Sequence, residues 1–230
     1  MSSETAVSLS SPCMLPKAGC LFDPRRLYEI AQLGVGLPTE AAFATVIAAL
    51  EQEYPGHICT RQDWIFSVAG GAMGQLTLLH GSLREYIILF GSCNGVDGHS
   101  GRYGSEVFDF VFKGEMHCEY EGRFALETHT PGTVAYLGPS VVKHYQIKQE
   151  AWMLEYARGT IPAMLPFGLS DSLVSTLDFR TVGRTLRNYG RLVVKELVTQ
   201  RKDLDLAAAY GLGAAALAGG LCMARKRGTS

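Results

Sequence analysis

Glu106-Val107-Phe108-Asp109-Phe110-Val111-Phe112 sets an acid inside an aromatic, β-branched run. Valine and phenylalanine at this density favour a strand. Alternate side chains of a strand face opposite ways. Tyr103, Ser105, Val107, Asp109 and Val111 then share one face, and Glu106, Phe108, Phe110 and Phe112 share the other. A carboxylate among apolar residues is costly unless it is paired or protonated. Asp109 is therefore either an ordinary acid on a half-exposed strand or part of a site that uses its charge.

A second stretch repeats the pattern. In Trp152-Met153-Leu154-Glu155-Tyr156-Ala157-Arg158-Gly159, parity puts Met153, Glu155 and Ala157 on one face. In a third, Glu85-Tyr86-Ile87-Ile88-Leu89-Phe90-Gly91, it puts Tyr86, Ile88 and Phe90 together. If the three faces line one cavity, Asp109 and Glu155 meet among aromatics. Parity permits this meeting, and a bulge would undo it. Two acids in one apolar cavity make a proton-transfer or cation-binding site.

The surrounding sequence sets these stretches in an antiparallel barrel or sandwich. From Trp64 to about Tyr156, short apolar runs alternate with glycine turns such as Gly70-Gly71, Gly95, Gly101 and Gly122. Helices flank this region. Tyr28, Ile30, Ala31 and Leu33 suggest a short one, and Thr39 can cap a second that ends at Pro55-Gly56. After Gly159, Pro162 can start a helix that Pro166 kinks. Asp178 can cap a last helix to about Gln200, with Phe179, Val182, Leu186, Tyr189, Val193 and Leu197 as its apolar stripe. Arg180, Arg184, Arg187, Arg191 and Lys195 recur on another face, which suits either a membrane surface or an ordinary packed helix with a solvated side.

The termini read differently. Residues 1–20 are rich in serine, lack the pattern of a signal peptide and read as a disordered tail. Residues 21–200 form the folded domain. Leu206 to Ala224 carries no charge and precedes Arg225, Lys226 and Arg227. As a helix it would be ~28 Å long, so 204–224 is a candidate transmembrane anchor and 225–230 a basic tail. Its small residues also suit an Ala-rich soluble helix.

Composition narrows the chemistry. A net charge of -1 over 230 residues carries no nucleic-acid footprint. The six cysteines are scattered without a C-x-x-C pair, and the six histidines show no H-x-H or H-x-x-x-H pair, so no metal site is expected. A Ser-His-Asp triad has no nucleophile elbow, and Gly95-Val96-Asp97-Gly98 lacks the Lys-Ser/Thr pair of a phosphate loop.

Pro55-Gly56-His57, Ala69-Gly70-Gly71, Glu85 to Gly91, Gly98-His99-Ser100-Gly101-Arg102-Tyr103, Leu154 to Gly159, Ile161-Pro162, Met164-Leu165-Pro166-Phe167-Gly168 and Ser175-Thr176-Leu177-Asp178-Phe179 occur in that order. In these motifs the chain, over about 22–200, resembles the fungal sterol C8 isomerase and sigma non-opioid receptor family. The resemblance implies a cupin-like antiparallel β-barrel without metal or cofactor, with N-terminal helices and two C-terminal membrane-associated amphipathic helices. It implies a homotrimer in the endoplasmic reticulum membrane. It also implies that Glu155 pairs with ligand amines and that Asp109 hydrogen-bonds Glu155. Tyr86, Phe90, Tyr103 and Tyr189 match pocket positions, Val107 shares their cavity face, and Glu85 matches a bracing glutamate. The family usually carries its span before the barrel, whereas here the candidate span follows it.

The expected activity is a sterol Δ8–Δ7 isomerase. Asp109 would supply or relay the proton, and Glu155 would stabilise the cation and accept the departing proton. Glu106 is a lesser catalytic candidate because parity turns it to the opposite face. The alternative is a non-catalytic membrane protein that binds cationic amphiphiles or sterols.

Overall fold

The computed structural model describes residues 7–201. Helices α1 (Pro24–Gln32) and α2 (Thr39–Glu53) precede eight strands: β1 (Ile65–Ala69), β2 (Ala72–Gly81), β3 (Glu85–Ser92), β4 (Val96–His99), β5 (Glu106–Tyr120), β6 (Glu127–His129), β7 (Val134–Leu137) and β8 (Lys143–Arg158). A 3-10 turn (Ile161–Met164) leads into α3 (Leu165–Val174). A further helix, α4, covers 179–201.

All pairings are antiparallel, in the order β1-β2-β3-β8-β5-β6, with β4 on β8 and β7 on β5. One cavity is lined from β1, β2, β3, β5, β7 and β8 together, so the sheet is strongly curled. This is the expected antiparallel β architecture with helices at both ends. The core has two layers. Phe108, Phe110, Leu154 and Tyr156 pack with Leu27, Val46 and Leu50 of α1 and α2. Val107, Val111, Met153 and Ala157 form the opposite layer.

The central β5–β8 ribbon is folded over on itself. Its register shifts between Val111 and Lys113 and again between Gly114 and Met116. Gly114 has φ +72°, and a Cβ there would lie 1.8 Å from the Glu150 carbonyl oxygen. Only glycine fits this bend.

Several sequence expectations need correction. Residues 7–20 are a strap, not a disordered tail: Met14 is fully buried, and Arg158 donates to the carbonyls of Leu15 (2.8 Å) and Cys13 (2.7 Å). The residue before α2 is Pro38, and Thr39 contributes no cap; its hydroxyl donates to Glu150 at 3.1 Å. Pro166 does not kink a helix but sits in the first turn of α3, where its missing N–H costs nothing. The stripe of α4 is rotated: Val182, Tyr189 and Leu192 are buried, while Phe179, Leu186 and Leu197 are exposed. Its polar face explains this, because Arg184 hydrogen-bonds Asp63 and the Trp64 carbonyl, Asn188 donates to Asp63, and Glu196 meets His57. Asp178 does cap α4, accepting from the Thr181 amide at 3.0 Å. The candidate anchor at 204–224 and the tail at 225–230 lie outside the described residues. Among the described residues, no helix is long and apolar enough to cross a membrane.

Candidate functional site

The strand registers bring three sequence patterns to one face. Tyr86 stands opposite Ala157, Ile88 opposite Glu155, and Phe90 opposite Met153. On the other side of β8, Val107 stands opposite Ala157 and Asp109 opposite Glu155. Directly opposed residues of an antiparallel pair point to the same face, so β8 carries Glu155 between the contributions of β3 and β5.

These side chains wall a cavity. Tyr86, Phe90, Tyr103, Val107, Asp109, Glu155 and Tyr189, all singled out from the sequence, line it. Met164, Leu165 and Phe167, with Thr185 and Tyr189 of α4, close it from the helical side. Tyr189 is fixed by donating to the Ser82 carbonyl at 2.7 Å. The free volume of about 210 Å³ far exceeds the ~10–15 Å³ that one water needs on the same measure. Most of the wall is apolar, which suits a greasy organic ligand.

Glu155 is the acid most changed by its surroundings. Protein surrounds it, yet it keeps some open surface and lines the cavity. Burial raises its pKa to about 8, and the nearby charge of Asp109 adds to the rise. The Tyr86 hydroxyl, which donates to Glu155 Oε1 at 2.5 Å, and the Lys143 ammonium oppose it without cancelling it. Burial and the adjacent Glu155 also raise the Tyr86 and Tyr103 phenols, so both stay donors.

Asp109 has a partner that the sequence reading missed. Lys143 Nζ lies 2.7 Å from Asp109 Oδ2, and the side chains are only 4% and 7% exposed. The expected hydrogen bond from Asp109 to Glu155 is replaced by this ion pair, because a buried ammonium is a stronger partner for a carboxylate than a second acid. Burial alone would lower the Lys143 pKa, but Asp109, together with Cys118 and Tyr120, more than offsets it and holds the ammonium above its usual range.

Glu106 does not join the site. It stands opposite Arg158 on the helix-facing side of the sheet. It accepts from Arg158 Nε at 2.9 Å, Lys17 at 3.0 Å and Tyr136 at 3.0 Å. Burial pushes its carboxyl up, but these three donors hold it below the usual range. The catalytic candidacy of Glu106 is corrected to a structural one, anchoring Arg158 and with it the N-terminal strap. Glu106→Gln is expected to lower stability by about 1–3 kcal/mol and leave turnover per folded molecule unchanged, read by denaturant unfolding beside an activity assay. Glu85 also lies on that side, accepting from the Leu21 and Phe22 amides and from Tyr156.

A family model described as "ERG2 and Sigma1 receptor like protein" matches residues 5–201. The chain belongs to that family. Within the ERG2 and Sigma1 receptor family it is 38% identical to the C-8 sterol isomerase erg2 of Aspergillus fumigatus, over 79% of this chain and 77% of that one. It is 40% identical to the sigma non-opioid intracellular receptor 1 of Gallus gallus, over 76% of this chain and 80% of that one. Among solved structures, an RmlC-like cupin from Shewanella frigidimarina aligns with 43% of this chain and 84% of its own, at 15% identity and a TM-score of 0.36. The strand pairing, not this partial likeness, defines the fold of this ERG2 and Sigma1 receptor family member.

Proposed function

We propose that the protein is a sterol C8 isomerase that moves a ring double bond from Δ8 to Δ7. The observation that carries this reading is that one apolar cavity sets Glu155, whose protonated form burial favours, opposite Asp109, which is tied to an ammonium. Glu155, raised by burial, suits the acid, and Asp109, held by the Lys143 ammonium, suits the base. The roles favoured here are the reverse of the sequence expectation. Glu155 gives its proton to C9, which leaves a cation at C8. The Asp109 carboxylate takes a proton from C7, and the C7–H electron pair becomes the C7=C8 bond. A proton passing from Asp109 back to Glu155 resets the site. One proton enters, one leaves, and no electron is gained or lost.

The 38% identity to the Aspergillus isomerase supports this reading. A second reading, a non-catalytic binder of cationic amphiphiles or sterols, draws on the 40% identity to the Gallus receptor. It uses the same cavity, since an ammonium mimics the cationic intermediate and a site complementary to that intermediate also binds the mimic. Association with the endoplasmic reticulum membrane, through exposed Val174, Leu177 and Phe179 at the α3–α4 end, and a homotrimeric assembly belong to the same proposal.

The test is expression in a yeast strain lacking its own C8 isomerase, with sterols measured by mass spectrometry. Δ7 sterols support the isomerase. Persistent Δ8 sterols beside stable, membrane-bound protein favour the binder.

The acid role also sets a pH dependence. Glu155 faces Asp109, Lys143 and Tyr86, and its pKa is about 8. Turnover should fall as pH rises through that value, whereas amine binding, which needs the carboxylate, should strengthen over the same range. Stability follows the acid: the folded protein binds this proton more tightly than the unfolded chain. That contribution is full below the ordinary value of 4.5 and is lost as pH rises through about 8. A rate that climbs through pH 8 would refute the assignment of Glu155 as acid.

A further inference from the structure

Lys143 begins β8, yet its side chain ends at Asp109, which stands opposite Glu155 twelve positions further along that strand. An extended strand would separate positions 143 and 155 by ~40 Å. The fold in the β5–β8 ribbon brings the two halves together, so Lys143 lines the same cavity as Glu155. The charged and titratable groups around it are Asp109, Cys118 and Tyr120 from β5, Glu155 and Tyr145 from β8, and His129 from β6. A buried ion pair is weak support for stability and can often be replaced by apolar residues. Its position in the wall of a ligand cavity calls for a role in that cavity.

We propose that Lys143 is the resident counter-cation of the cavity: it occupies the place beside Asp109 that a ligand ammonium would otherwise take, and so fits the site to a neutral substrate. This rests on the isomerase reading and deepens it. With Lys143 charged, Asp109 ionised and Glu155 protonated, the resting cavity is neutral. A neutral sterol enters without changing that sum, and proton transfer from Glu155 only redistributes charge inside it. A permanent ammonium adds one positive charge, which the site balances by releasing the Glu155 proton to solvent. Lys143 acts through Asp109 and is thus a positioning residue: it keeps the base ionised while the C8 cation forms.

The full chain in lipid nanodiscs, with a Δ8 sterol as substrate and N,N-dimethyldodecylamine as the amine probe, tests this. Lys143→Met should lower kcat by about 100-fold or more, the usual range for loss of a general acid or base, with KM nearly unchanged. It should bind the amine about tenfold tighter at pH 7, because Asp109 is then free to pair with it. Lys143→Arg keeps the charge and should restore most of kcat and the original amine affinity. Equal kcat and amine affinity in Lys143→Met and wild type would overturn the proposal, and so would a joint loss of turnover and amine binding. A second reading needs no variant. Calorimetry of the amine with the wild-type chain, in buffers of different ionisation heat, should show about one proton released per amine bound at pH 7. Binding without proton release overturns the proposal even if Lys143→Met fails to fold. A wild-type chain that converts no sterol sinks the isomerase reading separately, and amine affinity and proton release then still decide the place of Lys143.

Discussion

Glu155→Gln is expected to reduce Δ8-to-Δ7 conversion by at least ~100-fold, the scale of a lost general acid. Glutamine keeps the shape of the side chain and can still accept from Tyr86, whose hydroxyl lies 2.5 Å from Glu155 in the wild type. What it lacks is a proton that can be transferred and a carboxylate that can pair with an ammonium. Amine affinity should therefore fall as well, by about tenfold or more. At pH 7 the folded wild type holds a proton that the unfolded chain releases, and the neutral substitution removes that cost, so the variant should unfold no more easily than the wild type. The measurement is product formation by mass spectrometry alongside amine binding and thermal unfolding. A Glu155→Gln protein with wild-type turnover would remove Glu155 from the chemistry altogether.

Asp109→Asn should have the largest effect on stability, a loss of about 3–5 kcal/mol. The reason is the partner left behind. Lys143 is 4% exposed, and its carboxylate partner at 2.7 Å balances the ammonium. Asparagine offers an acceptor but no charge, so the ammonium is left uncompensated in a low-dielectric site. Adding Lys143→Met to Asp109→Asn should recover most of the loss, because a pair removed together costs far less than a pair broken. Denaturant unfolding of the wild type, both single variants and the double variant closes the cycle. If Asp109→Asn unfolds at the wild-type midpoint, the ion pair does not exist in solution.

The cavity was legible in the sequence because its walls obey a period of two. Tyr86, Ile88 and Phe90 meet Ala157, Glu155 and Met153, and Asp109 meets Glu155, as parity allowed. The same arithmetic, carried back along β8, puts Lys143 on the face of Glu155, since an even number of positions separates them. Its role stays hidden in the sequence because lysine is ordinarily a surface residue, and because the contact also depends on the fold at Gly114, which no local pattern announces. The N-terminal strap is hidden in the sequence for a related reason. Serine and proline near the start read as disorder, while the groups that hold the strap, Glu85, Glu106 and Arg158, lie far along the chain. The stripe of α4 departs from the apolar pattern because its inner face is chosen by hydrogen bonds to Asp63, Ser82 and His57 as well as by apolar residues.

The strap also bears on how the protein is made. Arg158 holds the carbonyl of Cys13, 145 residues earlier in the chain. Translation at ~5–20 residues per second leaves an interval on the order of ten seconds between the synthesis of the two ends of this contact. Until then the carbonyls of Cys13 and Leu15 lack the guanidinium that holds them in the finished fold. The strap is thus among the last segments to find its place, and a chaperone that shields short apolar segments would act around Met14 until Arg158 has been made.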